Sequence, residues 1–194
     1  MRKNVLISGI AVISAVVLGA CDSTAPMSGM DHRSSVPAPA PAGEHNADDV
    51  VFAQQMVPHH SQALDMAKLV PSRSTNPKVI DLASRIAKAQ DPEIQQMRTW
   101  LTTWGAGSAM PGMTHEPMPG MMSGAELTKL EAAKGAEFDK MWLDMMIQHH
   151  QGAIDMAGTE LSRGANADAK ALARKIVDAQ QAEITEMRGL RTQG

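Results

Sequence analysis

Met145-Met146-Ile147-Gln148-His149-His150-Gln151-Gly152-Ala153-Ile154-Asp155-Met156-Ala157 decides how the rest of this chain is read, because the pattern occurs twice. The earlier copy is Met56-Val57-Pro58-His59-His60-Ser61-Gln62-Ala63-Leu64-Asp65-Met66-Ala67. Helix formers dominate both stretches, and apolar residues recur at three- and four-residue spacing, which predicts two amphipathic helices. On a helical wheel Phe52, Met56, His59, Ala63 and Met66 share one stripe, with His60 at its edge. Trp142, Met146, His149, Ala153 and Met156 form the same stripe in the second copy, with His150 at its edge. A methionine stripe is ordinarily core, since the flexible thioether fills irregular gaps. The histidine pairs resist that reading, because adjacent imidazoles cannot both enter an apolar core without polar partners.

Outward from the motif, the repeat extends through both halves at a constant offset of 90 residues. It carries Asp49 to Asp139, Leu82 to Leu172, Ile86 to Ile176, Gln90 to Gln180, Glu93 to Glu183 and Met97 to Met187, with no gap. The first helix is expected from about Asp48 to Val70, ended by Pro71. Asn76-Pro77 is a start signal for the second, with proline at its first position, and Gly105 is its stop. The third is expected to begin at the capping box Ser123-x-x-Glu126 and to run unbroken to Arg163-Gly164. Asn166 opens the fourth, which runs to about Leu190. The fold expected is therefore all-α: one four-helix bundle of two repeated hairpins, 46–104 and 124–191.

In an antiparallel hairpin, residues equidistant from the turn lie level, so His59 falls near residue 88. Gln90 and Glu93 are then within reach of the first histidine pair, and Gln180 and Glu183 of the second. A carboxylate there fixes an imidazole tautomer and leaves the other ring nitrogen free for a metal. Pro58 and Pro92 interrupt the first copy alone and are expected to kink it.

Between the hairpins, linker 105–123 carries Met110, Met113, His115, Met118, Met121 and Met122 among proline and glycine. Loops are usually polar and no core explains these thioethers. Soft sulfur suits Cu(I) and Ag(I), so the residues of this linker are candidate ligands. Met56, His59, His60, Met66, Met145, Met146, His149, His150 and Met156 are the candidates on the helices. Thioethers do not protonate, whereas imidazole must be neutral to bind. A linker site should therefore persist below the free-imidazole pKa of about 6.5 while a helical site weakens.

The N-terminus reads as targeting. Arg2-Lys3 precedes an apolar run, and Leu18-Gly19-Ala20-Cys21 resembles a lipoprotein box, with Cys21 as the lipidation site. Residues 1–20 are then the signal peptide and 21–45 a Pro/Ala-rich tether, which predicts an extracytoplasmic protein anchored to a membrane by lipid. Cys21 is the only cysteine, so no internal disulfide forms. The formal net charge is −3, and setting aside Arg2 and Lys3 leaves −5, which argues against a nucleic-acid partner.

Taken together, the doubled Met-x-x-His-His-x-x-Ala-x-x-Met-Ala motif and the doubled Gln-x-x-Glu-Ile-x-x-Met of Gln90–Met97 and Gln180–Met187 resemble the domain-of-unknown-function family 305. That resemblance covers about residues 46 to 191. It implies a ferritin-like bundle, and copper binding through methionine and histidine as in some periplasmic members. The expectation is copper sequestration or trafficking, with Cu(I) preferred and silver as a second soft ion, and no catalysis. Two alternatives stand beside it. One is a ferritin-like di-metal redox enzyme, although the Glu-x-x-His pattern of such sites is absent from all four helices. The other is a structural or partner-binding module whose His–Glu network only specifies core geometry.

Overall fold

A computed structural model describes residues 43–107 and 118–192. Cys21, the signal segment, the tether up to residue 42, Met110, Met113 and His115 lie outside the described residues. Five helices follow in order: α1 (Ala47–Arg73), α2 (Pro77–Thr103), α3 (Gly124–Ala132), α4 (Gly135–Arg163) and α5 (Ala167–Arg191). No strand occurs among the described residues, in keeping with the all-α bundle expected. None of these helices is long and apolar enough to cross a membrane.

The starts are where the caps put them. Asn46 accepts the amides of Asp48 and Asp49 at 2.9 and 3.1 Å, while Asp49 reaches back to the Asn46 amide at 2.6 Å. Asn76 and Asn166, at equivalent repeat positions, cap α2 and α5 through their side chains, Asn76 accepting the Lys78 amide and Asn166 those of Asp168 and Ala169. Ser123 and Glu126 close the capping box of α3.

Two boundaries differ from expectation. Helix α1 continues through Pro71 to Arg73, because proline near a helix end removes only one late hydrogen bond. The third helix is two: α3 stops at Ala132, Ala133 and Lys134 are extended, and α4 restarts with Gly135 at φ +59°. Glycine tolerates that left-handed conformation, which a side chain resists, and the Lys134-Gly135 pair is the sequence signal for the break. Pro58 lies inside a continuous α1 and Pro92 inside a continuous α2, both on exposed faces where the lost amide bond is solvent-side.

Helices α1 and α2 pair as one hairpin and α4 and α5 as the other, with α1 against α4 as the main seam between them. The seam is antiparallel, since Trp142 at the start of α4 donates its indole N–H to the Met66 carbonyl at 3.1 Å late in α1. Two apolar clusters result. One joins Met66 and Val70 to Leu82, Ile86, Phe138, Trp142, Met146, Ile184 and Met187. The other joins Phe52 and Met56 to Ile94, Met97, Ala153, Met156, Leu172 and Ile176. The repeat offset exchanges one cluster for the other, as a pseudo-twofold axis across the seam requires. Full burial of each such side chain contributes on the order of 1.5–3 kcal/mol. Along every long helix the two clusters are interrupted at the same level by polar residues: His59-His60, Gln90 to Glu93, His149-His150 and Gln180 to Glu183.

Candidate metal centre

That polar layer holds four histidines, all fully buried. The rings of His59 and His149 meet across the seam with centroids 3.7 Å apart and planes inclined by 35°. His60 and His150 flank them, each with its ring centroid 6.5 Å from that of its sequence neighbour. His60 Nε2 lies 3.0 Å from a Glu93 carboxylate oxygen and His150 Nε2 lies 2.7 Å from Glu183. The structure thus places one glutamate of each α2/α5 stripe on an imidazole. Gln90 and Gln180 are buried nearby, and neither amide oxygen, nor the Gln90 amide nitrogen, meets a partner.

The chemistry of the acceptors assigns the tautomers. A carboxylate or carbonyl oxygen only accepts, so Nε2 of His60 donates to Glu93 and Nε2 of His59 donates to the Pro119 carbonyl at 3.1 Å. The Nδ1 lone pair of each ring is then left without a donor, as is His150 Nδ1, and on His149 neither nitrogen has a partner. Buried, unpaired acceptors are costly and uncommon. Burial pushes the His59 pKa down to about 3, with the neighbouring His60 adding to the shift. His149 is likewise held well below the ordinary value by burial and then by His59. For His60 burial again dominates, opposed in part by Glu93. These imidazoles stay neutral, the state a metal requires. Burial would raise the Glu93 pKa, but His60 and Lys175, whose Nζ is 3.2 Å from the other carboxylate oxygen, hold it low.

The linker's end closes over this layer. Met118 to Met121 form a β-turn, with the Met121 amide on the Met118 carbonyl at 3.1 Å and Gly120 at φ +76°. The turn lies on α4: a Cβ on Gly152 would stand 2.0 Å from the Pro119 oxygen, and one on Gly120 2.6 Å from the Gln148 oxygen. From the opposite side Gln62 grips Met122 twice, donating to its carbonyl at 2.9 Å and accepting its amide at 2.8 Å. Gln62 and Gly152 occupy the same place in the two copies: one holds the linker, the other makes room for it. Helical periodicity singles out neither residue. A glycine inside a helix, costing about 1 kcal/mol against alanine, is the available signal at position 152.

The candidate methionines divide by environment. Met56, Met66, Met146 and Met156 lie buried within the two apolar clusters, and partly buried Met145 packs against one of them. Met122 is also in the core, whereas Met118 and Met121 are partly exposed on the turn beside His59 and Gly152. Among the described residues no three His, Cys, Asp or Glu side chains converge on a common point. The His59 and His149 rings face each other rather than a shared centre.

Solved structures place this geometry in context. A DUF305 fragment from Deinococcus radiodurans is 35% identical, with a TM-score of 0.70 over 77% of this chain and 98% of that one. A DUF305 protein from Streptomyces coelicolor, described as secreted, is 35% identical, with a TM-score of 0.69 over 74% of this chain and 89% of that one. CopM in its Cu(I)-bound form is 29% identical, with a TM-score of 0.63 over 75% of this chain and 96% of that one. CopM has also been solved with Cu(II) and with silver. A curated protein from Acanthamoeba polyphaga mimivirus, L153, is 37% identical over 54 residues, and the match spans about a third (36%) of its length. The similarity to CopM suggests metal binding, and a secreted relative suggests an extracytoplasmic location. With a match over residues 49–191, the chain belongs to the DUF305 family, a domain of unknown function.

Proposed function

We propose that this protein binds a soft monovalent coinage metal, Cu(I) or Ag(I), at the histidine layer, and sequesters or hands on that ion outside the cytoplasm. The observation that carries the reading is the set of buried Nδ1 lone pairs without donors on His59, His60 and His150, beside His149 with neither nitrogen partnered. On His60 the opposite nitrogen is held by a carboxylate, the arrangement that fixes a ligating imidazole. Since no three imidazoles or carboxylates converge among the described residues, an ion here draws on thioether sulfur as well, or on a turned ring. Met118 and Met121 are partly exposed thioethers on either side of Pro119, whose carbonyl meets His59, and Met110, Met113 and His115 belong to the same linker. Soft sulfur with neutral imidazole favours Cu(I) over hard divalent ions. Cys21 as a lipid anchor, with residues 21–45 as tether, places the site at a membrane surface in this reading.

Cu(I) stoichiometry measured by competition with a chromophoric chelator tests it. Replacement of Met110, Met113, Met118, Met121 and Met122 by leucine keeps apolar bulk and removes sulfur, and is expected to lower the stoichiometry. The double variant His59→Ala with His149→Ala is expected to abolish binding at the layer. Retention of wild-type stoichiometry in both variants would reject copper binding at this domain. Mass spectrometry of the protein from its own cell envelope tests the anchor: an unmodified Cys21 at a cleaved N-terminus would rule it out.

A further inference from the structure

Far from the histidines, at the end of the seam where α1 begins, two carboxyl groups are buried together. Asp49 is 0% exposed and Glu160 1%. Asp49 accepts amides from three residues: Asn46 at 2.6 Å, Ala165 at 3.1 Å and Asn166 at 2.9 Å. It thereby ties the start of α1 to the α4–α5 turn. Glu160 meets no hydrogen-bond donor at either oxygen, and the Asp49 carboxyl is the charged group that acts on it most strongly.

The position is built for an acid. A Cβ on Gly164 would stand 2.1 Å from Glu160 Oε1, so the missing side chain there is the space the carboxyl fills. In the first copy the equivalent residues are Val70 and Ser74, an apolar side chain and an ordinary turn residue. Two carboxylates buried side by side without a donor for one of them repel, and one proton between them removes the conflict.

We propose that Asp49 and Glu160 share one proton and act as a latch, closing the start of α1 onto the α4–α5 turn and releasing it when that proton is lost. In the closed form Glu160 is the neutral acid and donates its O–H to the Asp49 carboxylate. On release the proton passes to solvent, leaving two anions face to face. The electrostatics agree. Burial, and then Asp49 itself, raises the Glu160 pKa to about 8. Burial would raise Asp49 too, but the amides of Asn46 and Asn166 outweigh it and keep its pKa low. Asp48 on α1 adds negative charge, and Lys170 on α5, whose Nζ donates to the Gly164 carbonyl at 2.8 Å, opposes it. Asp48 and Asp155 also face the cleft of about 280 Å³ that Glu160 lines with Phe52, Met156 and Pro119.

The sign follows from the raised value. A carboxyl that holds its proton more tightly in the folded state stabilises most below its unfolded pKa of about 4.5. That contribution falls as pH rises and is gone above the folded value. Metal-free protein should therefore lose thermal stability relative to Glu160→Gln between about pH 5 and about pH 8.5, since the amide donates to Asp49 at every pH. Glu160→Val, the residue of the other copy, should flatten the profile as well. In the wild type, infrared spectra at neutral pH should contain a protonated-carboxyl C=O stretch that is absent from Glu160→Gln and disappears above about pH 9. Amide shifts of Ala165 and Asn166 should move with the same midpoint. A wild-type melting profile parallel to both variants, or no protonated carboxyl at neutral pH, would overturn the latch.

Discussion

The two ends of the α1–α4 seam are built from equivalent residues and come out opposite. At one end Phe138, Met141, Trp142, Met145, Leu69 and Val70 close the seam with apolar side chains. At the other, Asp48, Val51, Phe52, Gln55, Thr159 and Glu160 line an open cleft. The repeat offset superposes Phe52 on Trp142, Gln55 on Met145 and Glu160 on Val70. A duplicated motif has thus kept its shared core and histidine layer while its ends diverged. The polar end is also where the Pro119 turn reaches the cleft.

Removing the plug should have the largest effect. Trp142 is fully buried and its indole N–H holds the Met66 carbonyl, so Trp142→Ala is expected to cost about 3–5 kcal/mol. Phe52→Ala, beside an existing cleft, should cost less, because its surroundings are partly open already. Urea unfolding of the two variants measures the contrast, and equal losses would mean that the ends are not energetically distinct.

The seat of the linker comes next. Gly152→Ala places a methyl group where the Pro119 carbonyl lies, and overpacking of that kind costs roughly 1–3 kcal/mol. Its signature is loss of the His59–Pro119 contact, visible as a changed His59 ring resonance with helix content intact. Gln62→Ala should free the same turn from the other side by removing both bonds to Met122.

Acid should act through the layer itself. The folded His59 pKa of about 3 lies below the unfolded value of about 6.5, and those of His60 and His149 are also depressed. Stability from these rings is complete above about pH 6.5. It is lost as pH falls, by up to about 1.4 kcal/mol per unit per ring, because the unfolded chain takes protons the folded one refuses. Thermal melts of metal-free protein between about pH 7 and pH 4.5 measure this, and His59→Gln should shallow the slope. The free-imidazole midpoint expected from sequence is displaced downward by burial, so metal binding at the layer should tolerate mildly acidic solution.

The smallest change calibrates the rest. A Cβ on Gly158, which shares a helix with Gly152, would meet nothing within 4 Å. Gly158→Ala should stabilise by up to about 1 kcal/mol through helix propensity alone. Opposite signs at positions 152 and 158 in one denaturation experiment would isolate the linker contact from the helix.

Local periodicity determined a large share of this protein. The 90-residue repeat, the Asn76, Ser123 and Asn166 start signals, and the reach of Glu93 and Glu183 to a histidine pair all follow from helix geometry, in which side-chain direction is set within a few residues. The break at Ala133–Lys134 was less legible, since one glycine competes weakly against a continuous helical pattern. What only the tertiary structure decided are the contacts between residues far apart in the chain. His59 faces His149, Pro119 sits on Gly152, and Asp49 caps Asn166 across a separation of 117 residues. Burial depth belongs to the same class. It holds the His59, His60 and His149 pKa values below the ordinary imidazole range and raises that of Glu160, because desolvation depends on every element packed around a group.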